Sequence, residues 1–235
     1  MNNGYGVHQK VNRRNSDHWI SMSDLMAGLM MVFLFISVAY MHYVRIERDK
    51  IKQVAIAYQS TQAALYDALF QEFYMDLPGW DAEIDRQTLE FRFKSPDSLF
   101  KIGSTGLNSQ FQSMLSDFFP RYLEVLGKFR VHITEIRIEG HTSSGWSGAA
   151  TPDIAYFNNM ELSQGRTHAV LQYLYKMPTV TKDRTWIKKV FSAVGYSSAH
   201  PILDSHGNED SDRSRRVTFK VLTNAEIQIR KILQE

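Results

Sequence analysis

VHITEIRIEGHT, residues 131–142, is rich in β-branched residues, largely alternates apolar with polar side chains, and stops at Gly140. That pattern is a half-buried strand. On its N-terminal side, FQSMLSDFFPRYLEVLGKF (111–129) has the apolar spacing of an amphipathic helix, and TLEFRFKSPDSLF (88–100) alternates like a second strand. On its C-terminal side, LSQGRTHAVLQYLYKM (162–177) reads as a helix with Asn159 and Ser163 as candidate caps. WIKKVFSAVGY (186–196) reads as a helix end or short strand, and SRRVTFKVLT (214–223) as a clear strand. The order β-α-β-α-β-β predicts an α+β fold, a two-layer α/β sandwich of roughly 140 residues.

Further toward the N-terminus the composition changes. Leu25 to Val44 are 20 residues with no formal charge, and only Ser37 and His42 among them are clearly polar. About 20 apolar residues at ~1.5 Å rise cross a hydrocarbon core of ~30 Å. Trp19 at one end, and Tyr40 and Tyr43 at the other, suit the two interfaces. The expected division is a polar cytoplasmic tail over 1–18, a transmembrane helix over 19–44, a helical stalk over 45–77 and the sandwich over 78–235. Pro78 and Gly79 break the stalk. The apolar run is longer than a signal-peptide core, and no A-x-A cleavage site follows it, so it reads as an uncleaved anchor. Lys10, Arg13 and Arg14 precede it while Arg45, Arg48, Lys50 and Lys52 follow it, so positive charge does not choose an orientation.

Several classes are disfavoured. No cysteine is present, which excludes disulfides, thiolate metal sites and an acylated cysteine. A net charge of +2 gives no case for nucleic-acid binding, and the eight histidines lack metal-ligand spacing. With no activated nucleophile and no paired carboxylates, the chain reads as a non-enzyme without cofactor or metal.

Asp24 stands at the leading edge of the apolar run. An ionisable group in a membrane segment is a functional hypothesis by default. Desolvation raises a carboxylate's pKa toward the physiological range, where it can load and release a proton. Ala27 and Gly28, three and four positions on, share its face and permit close approach by neighbouring helices. With Met31 they form a predicted partner-facing stripe, and Ser21 lies one turn before. The competing reading is a helix cap, because Ser21-Met22-Ser23-Asp24 matches a capping box.

EGHT (139–142), NMELSQGR (159–166), GYSSAHPI (195–202) and RSRRVTF (213–219) together resemble the OmpA-like peptidoglycan-binding domains. The resemblance implies recognition of the diaminopimelate-containing stem peptide. Arg166 would be the lead contact, Thr142, Asn159 and Leu162 would line the pocket, and Arg215 would lie nearby. A planar guanidinium suits a carboxylate ligand. Ser143 replaces the family's usual Asp after GHT, Ser214 replaces an Asn before the paired arginines, and Asp153 is a candidate substitute carboxylate. The long segment 143–158 and N-x-E-L-S at 159–163 are similar to MotB, and the helix start WISMSDLMAGLMMVFLF (19–35) is similar to the MotB-like subunits of Zorya-type anti-phage systems. This implies a homodimeric, peptidoglycan-anchored stator subunit in the inner membrane, its N-terminus cytoplasmic and its C-terminal domain periplasmic. Asp24 would carry the ion beside a multi-span MotA-like partner. A lone Asp with little polar company favours a proton over sodium.

Overall fold

The computed structural model describes residues 13–94, 99–100, 104–148 and 151–224. The predicted tail residues 1–12 lie outside it, as do the side chains of 13–21, Ser21 among them, and of 57–58. The chain forms two compact units, Met1–Gln53 and Val54–Glu235.

Helix α1 spans Arg13–Phe73 and contributes to both units. Its N-terminal part is long and apolar enough to cross a membrane. The side chains from Met22 to Ile46 are all exposed, with Leu25, Phe35 and Tyr40 at 77%, 73% and 68%. A helix apolar on every side and buried by nothing of its own matches a lipid environment.

In the second unit the end of α1 becomes part of the domain. Leu65, Leu69 and Phe73, spaced at four residues, are fully buried. Turns through Pro78 and Gly79 lead to β1 (Ala82–Ile84) and β2 (Glu90–Lys94). Then come α2 (Ser109–Gly127), β3 (Ile133–His141), α3 (Pro152–Lys176), a 3₁₀ turn (Pro178–Asp183), α4 (Arg184–Val190), β4 (Phe191–Gly195), the short α5 (Ser211–Ser214) and β5 (Arg216–Thr223). The sheet order is β1-β2-β5-β3-β4, with β3 and β4 parallel and all other neighbours antiparallel.

One sheet face meets the helices. Phe91, Phe93, Ile136, Ile138, Val217, Phe219 and Val221 alternate onto it and are buried. Phe118 of α2 sits among their rings, 4.7 Å from Phe91, 4.8 Å from Tyr122 and 5.2 Å from both Phe93 and Phe219. The opposite face carries charge. Arg92 pairs with Glu90, Asp85 and Glu83 at 2.8, 3.0 and 3.2 Å, and Lys220 with Glu90 at 3.0 Å. The predicted strand at 131–142 is β3. Its alternation slips at Thr134–Glu135, where the register with β5 shifts between Ile133 and Glu135. The irregularity returns Ile136 to the apolar face.

Three sequence expectations change. Asn159 and Ser163 do not cap α3: the helix begins at Pro152, with Thr151 accepting from the Ile154 amide. Residues 186–196 hold both most of α4 and β4. Because α1 begins at Arg13, inside the stretch read as tail, Ser21 and Asp24 are interior residues and form no capping box.

Candidate functional site

Two places carry the predicted site residues. The first lies on α1 within the N-terminal unit. Asp24, Ala27, Gly28 and Met31 fall on one face by helical spacing, and all are exposed. A side chain added at Gly28 would meet nothing within 4 Å. The stripe offers its flattest contact one turn from the carboxylate.

The second lies where β3 and β4 end against α3. Gly140 and Gly195 are register partners. A Cβ on Gly195 would stand 2.4 Å from the Gln164 backbone nitrogen, and one on Gly140 would stand 2.8 Å from the Ser163 carbonyl oxygen. Both glycines therefore let α3 press onto the strand ends, which explains why EGHT and GYSS each carry one. Beyond them, Thr142 donates its amide to the Ser197 carbonyl (2.9 Å). Ser197 donates its amide to Ser163 Oγ (3.1 Å) and its hydroxyl to the Tyr156 carbonyl (2.7 Å). Ser197 is fully buried at φ +52°, a left-handed backbone on a non-glycine residue held by all three bonds.

Asn159, Leu162, Ser163 and Arg166 share one face of α3. Asn159 Nδ2 donates to the carbonyls of Ser143 (3.1 Å) and Gly145 (3.2 Å), so it fastens the loop after Thr142. Leu162 is half-buried. Arg166 is buried, its Nε donating to the Ser104 carbonyl (3.3 Å) and its guanidinium lying 4.8 Å over the Phe100 ring. The Thr142 hydroxyl is buried and has no hydrogen-bond partner among the described residues. The structure thus brings Thr142 and Asn159 together through one loop and holds Arg166 further along the same helix face. Arg215 pairs with Asp212 on α5. Asp153 is exposed in the first turn of α3.

Sequence reading missed three members of this region. Glu209 accepts from the Ser144 amide (3.0 Å) and hydroxyl, placing a carboxylate one residue from Ser143. Arg216, the second arginine of the pair, is buried opposite His141 in the register and donates to the carbonyls of Ser214 (2.9 Å) and His200 (3.3 Å). Strand alternation would have found it, since Val217 and Phe219 claim the other face. Glu209 gave no signal, because 65 residues separate it from Ser144. His141 is buried against Tyr196 with Glu139 3.6 Å away. Burial holds its imidazole below the ordinary value, Glu139 opposes, and Arg216 and His200 push it further down. Among the described residues no group of three His, Cys, Asp or Glu side chains could hold a metal ion.

No family model matches the chain. It is 66% identical over 222 residues to the Zorya protein ZorB of Escherichia coli strain Crooks, covering 94% of each chain. Similar solved structures include a putative MotB-like protein from Desulfovibrio vulgaris (21% identity, 75% of this chain and 94% of that one, TM-score 0.48). The periplasmic domain of Helicobacter pylori MotB (20%, 65% and 88%, TM-score 0.42) and the cell wall anchor of the T6SS from Pseudomonas aeruginosa (22%, 66% and 96%, TM-score 0.45) are also similar. An α+β sandwich preceded by one long apolar N-terminal helix is the class this chain represents. Within that class the chain belongs to the ZorB family of Zorya proteins.

Proposed function

We propose that the chain is the wall-anchored, ion-conducting subunit of an inner-membrane motor that acts in anti-phage defence. Its N-terminus is cytoplasmic and its sandwich periplasmic. Two copies stand within a ring of a multi-span MotA-like partner of the ZorA type. Asp24 carries the ion, a proton, and the Ala27–Gly28–Met31 face meets the partner. Charging and neutralising the carboxylate alternately forbids and permits its contact with apolar surface. A proton crossing ~100 mV releases about 2.3 kcal/mol, the work available per step.

The observation that carries this reading is the position of Asp24. It is interior to α1, on an exposed apolar face beside Gly28, where a cap has no use. The alternative, a passive peptidoglycan tether that conducts nothing, leaves Asp24 only the role of a helix cap. The likeness to ZorB supports a Zorya motor over a flagellar stator.

The sandwich grips peptidoglycan through Arg166, Thr142, Asn159 and Leu162, with Arg215 at the margin. Glu209 supplies the carboxylate for the ligand's ammonium group that Ser143 cannot. What supports this is the Asn159-fastened loop and the Glu209 carboxylate on Ser144.

The test pairs sedimentation of the protein with purified sacculi and phage plating on cells carrying the intact gene neighbourhood. Arg166→Lys keeps the charge but loses the planar fork. It is expected to weaken sedimentation roughly ten-fold and to reduce protection. Asp24→Asn is expected to sediment normally and to lose protection. Full protection by Asp24→Asn at equal membrane levels would return the passive tether.

A further inference from the structure

Between Met22 and Val44, Asp24 is the one carboxylate and His42 the one imidazole. Eighteen residues separate them, five full turns at 3.6 residues per turn, so they lie on the same line of α1. At ~1.5 Å per residue they stand about 27 Å apart, close to the ~30 Å hydrocarbon thickness. Both are exposed. Gly28, Met31, Phe35 and Val38 fill the line between them within about 40° of it, while Tyr40 lies about 160° away. Tyr43, the other aromatic read as an interfacial anchor, lies about 100° from the same line. His42 instead continues the Asp24 face.

We infer that His42 is the proton-exchange group at the far mouth of the path that serves Asp24. This rests on the ion-conduction reading. A proton from the outer water adds to one imidazole nitrogen and the proton on the other leaves toward Asp24. The ring returns by tautomer exchange, so one proton crosses per cycle with no other change. The intervening line on this helix has no polar side chain, so water or the partner carries the proton between the two groups. The charged groups facing His42 are Arg45, three residues on, and Asp49, seven residues on, which pairs with Arg48 at 3.7 Å. No second element packs on Met22–Ile46 among the described residues, where every side chain is exposed.

The experiment is proton flux into vesicles holding the full chain with its MotA-like partner, read by an internal pH dye under an imposed potential. Wild type, Asp24→Asn, His42→Gln and His42→Ala are compared at outer pH between about 5.5 and 7.5. Equal incorporation and partner co-purification are verified first. Asp24→Asn is expected to fall to background. Both His42 variants are expected to lose about ten-fold or more of the flux and its dependence on outer pH. Added imidazole should restore His42→Ala and leave Asp24→Asn unchanged. If the His42 variants keep the wild-type flux and pH profile while Asp24→Asn is dead, His42 is an interfacial residue and the inference fails alone. If Asp24→Asn conducts like wild type, the conduction reading fails and takes the inference with it. A His42→Ala loss that imidazole does not restore would make the residue structural and overturn its exchange role.

Discussion

Tyr122 carries its hydroxyl fully buried among Phe91, Phe118 and Phe219, and that oxygen has no partner among the described residues. A buried hydroxyl without a hydrogen bond costs roughly 1–3 kcal/mol. Tyr122→Phe removes it with almost no change of volume and is expected to raise the thermal midpoint by several degrees; a lowered midpoint would reveal a partner for the oxygen. His141 sets a pH dependence. Its folded pKa lies below the ordinary 6.5 because burial disfavours the imidazolium. Between the two values the unfolded chain binds more protons, so stability falls as pH drops from about 6.5. The carboxylates of Glu83, Asp85, Glu90 and Glu135 are also held low, which places their loss below their ordinary values of 4.5, 3.8, 4.5 and 4.5. Melts of the full chain in detergent between pH 7 and 5 are therefore expected to soften for wild type and to flatten for His141→Gln.

At the scale of elements, the contact of α3 with β3 and β4 is the tightest feature of the site. Gly195→Ala would drive a methyl into the Gln164 backbone, which a side-chain rotation cannot relieve. The expected cost is about 1–3 kcal/mol or more, with wall binding impaired because Ser197 and the Thr142 loop shift together; an unchanged midpoint and normal sacculus sedimentation would contradict that packing. These elements were unevenly legible. The strands β2, β3 and β5 announced themselves by alternation, and α2 by its apolar face. The start of α3 was written in Thr151-Pro152-Asp153, a cap followed by proline at the first helical position, yet the aromatic and amide residues after it read as loop. The strand β1 has three residues, too few to show any period. Gly140 and Gly195 were visible as motif letters, but only the packed helix shows what they make room for. Glu209 and the strained Ser197 belong to tertiary contacts that no local pattern records.

At the scale of the whole chain, the two units differ in what they bury. The N-terminal unit presents an unburied apolar helix, and between Met22 and Val44 Asp24 and His42 lie on a common line. The other is a sandwich that gathers Thr142, Asn159 and Glu209 near the ends of β3 and β4 against α3. A 20-residue uncharged run and an alternating β-branched strand are strong signals in the sequence, whereas the boundary between the units, after Gln53, falls inside the stretch 45–77 that reads as a stalk. Under the proposed function, Glu209→Gln should weaken retention by sacculi without altering ion flow, since Glu209 lies in the second unit. The proposed motor requires that Asp24 move protons during infection. Cytoplasmic pH in cells carrying the gene neighbourhood, followed with a ratiometric reporter as phage are added, tests it most directly. A transient acidification is expected with Asp24 and none with Asp24→Asn at equal membrane abundance; superimposable traces from the two strains would rule out proton carriage by Asp24.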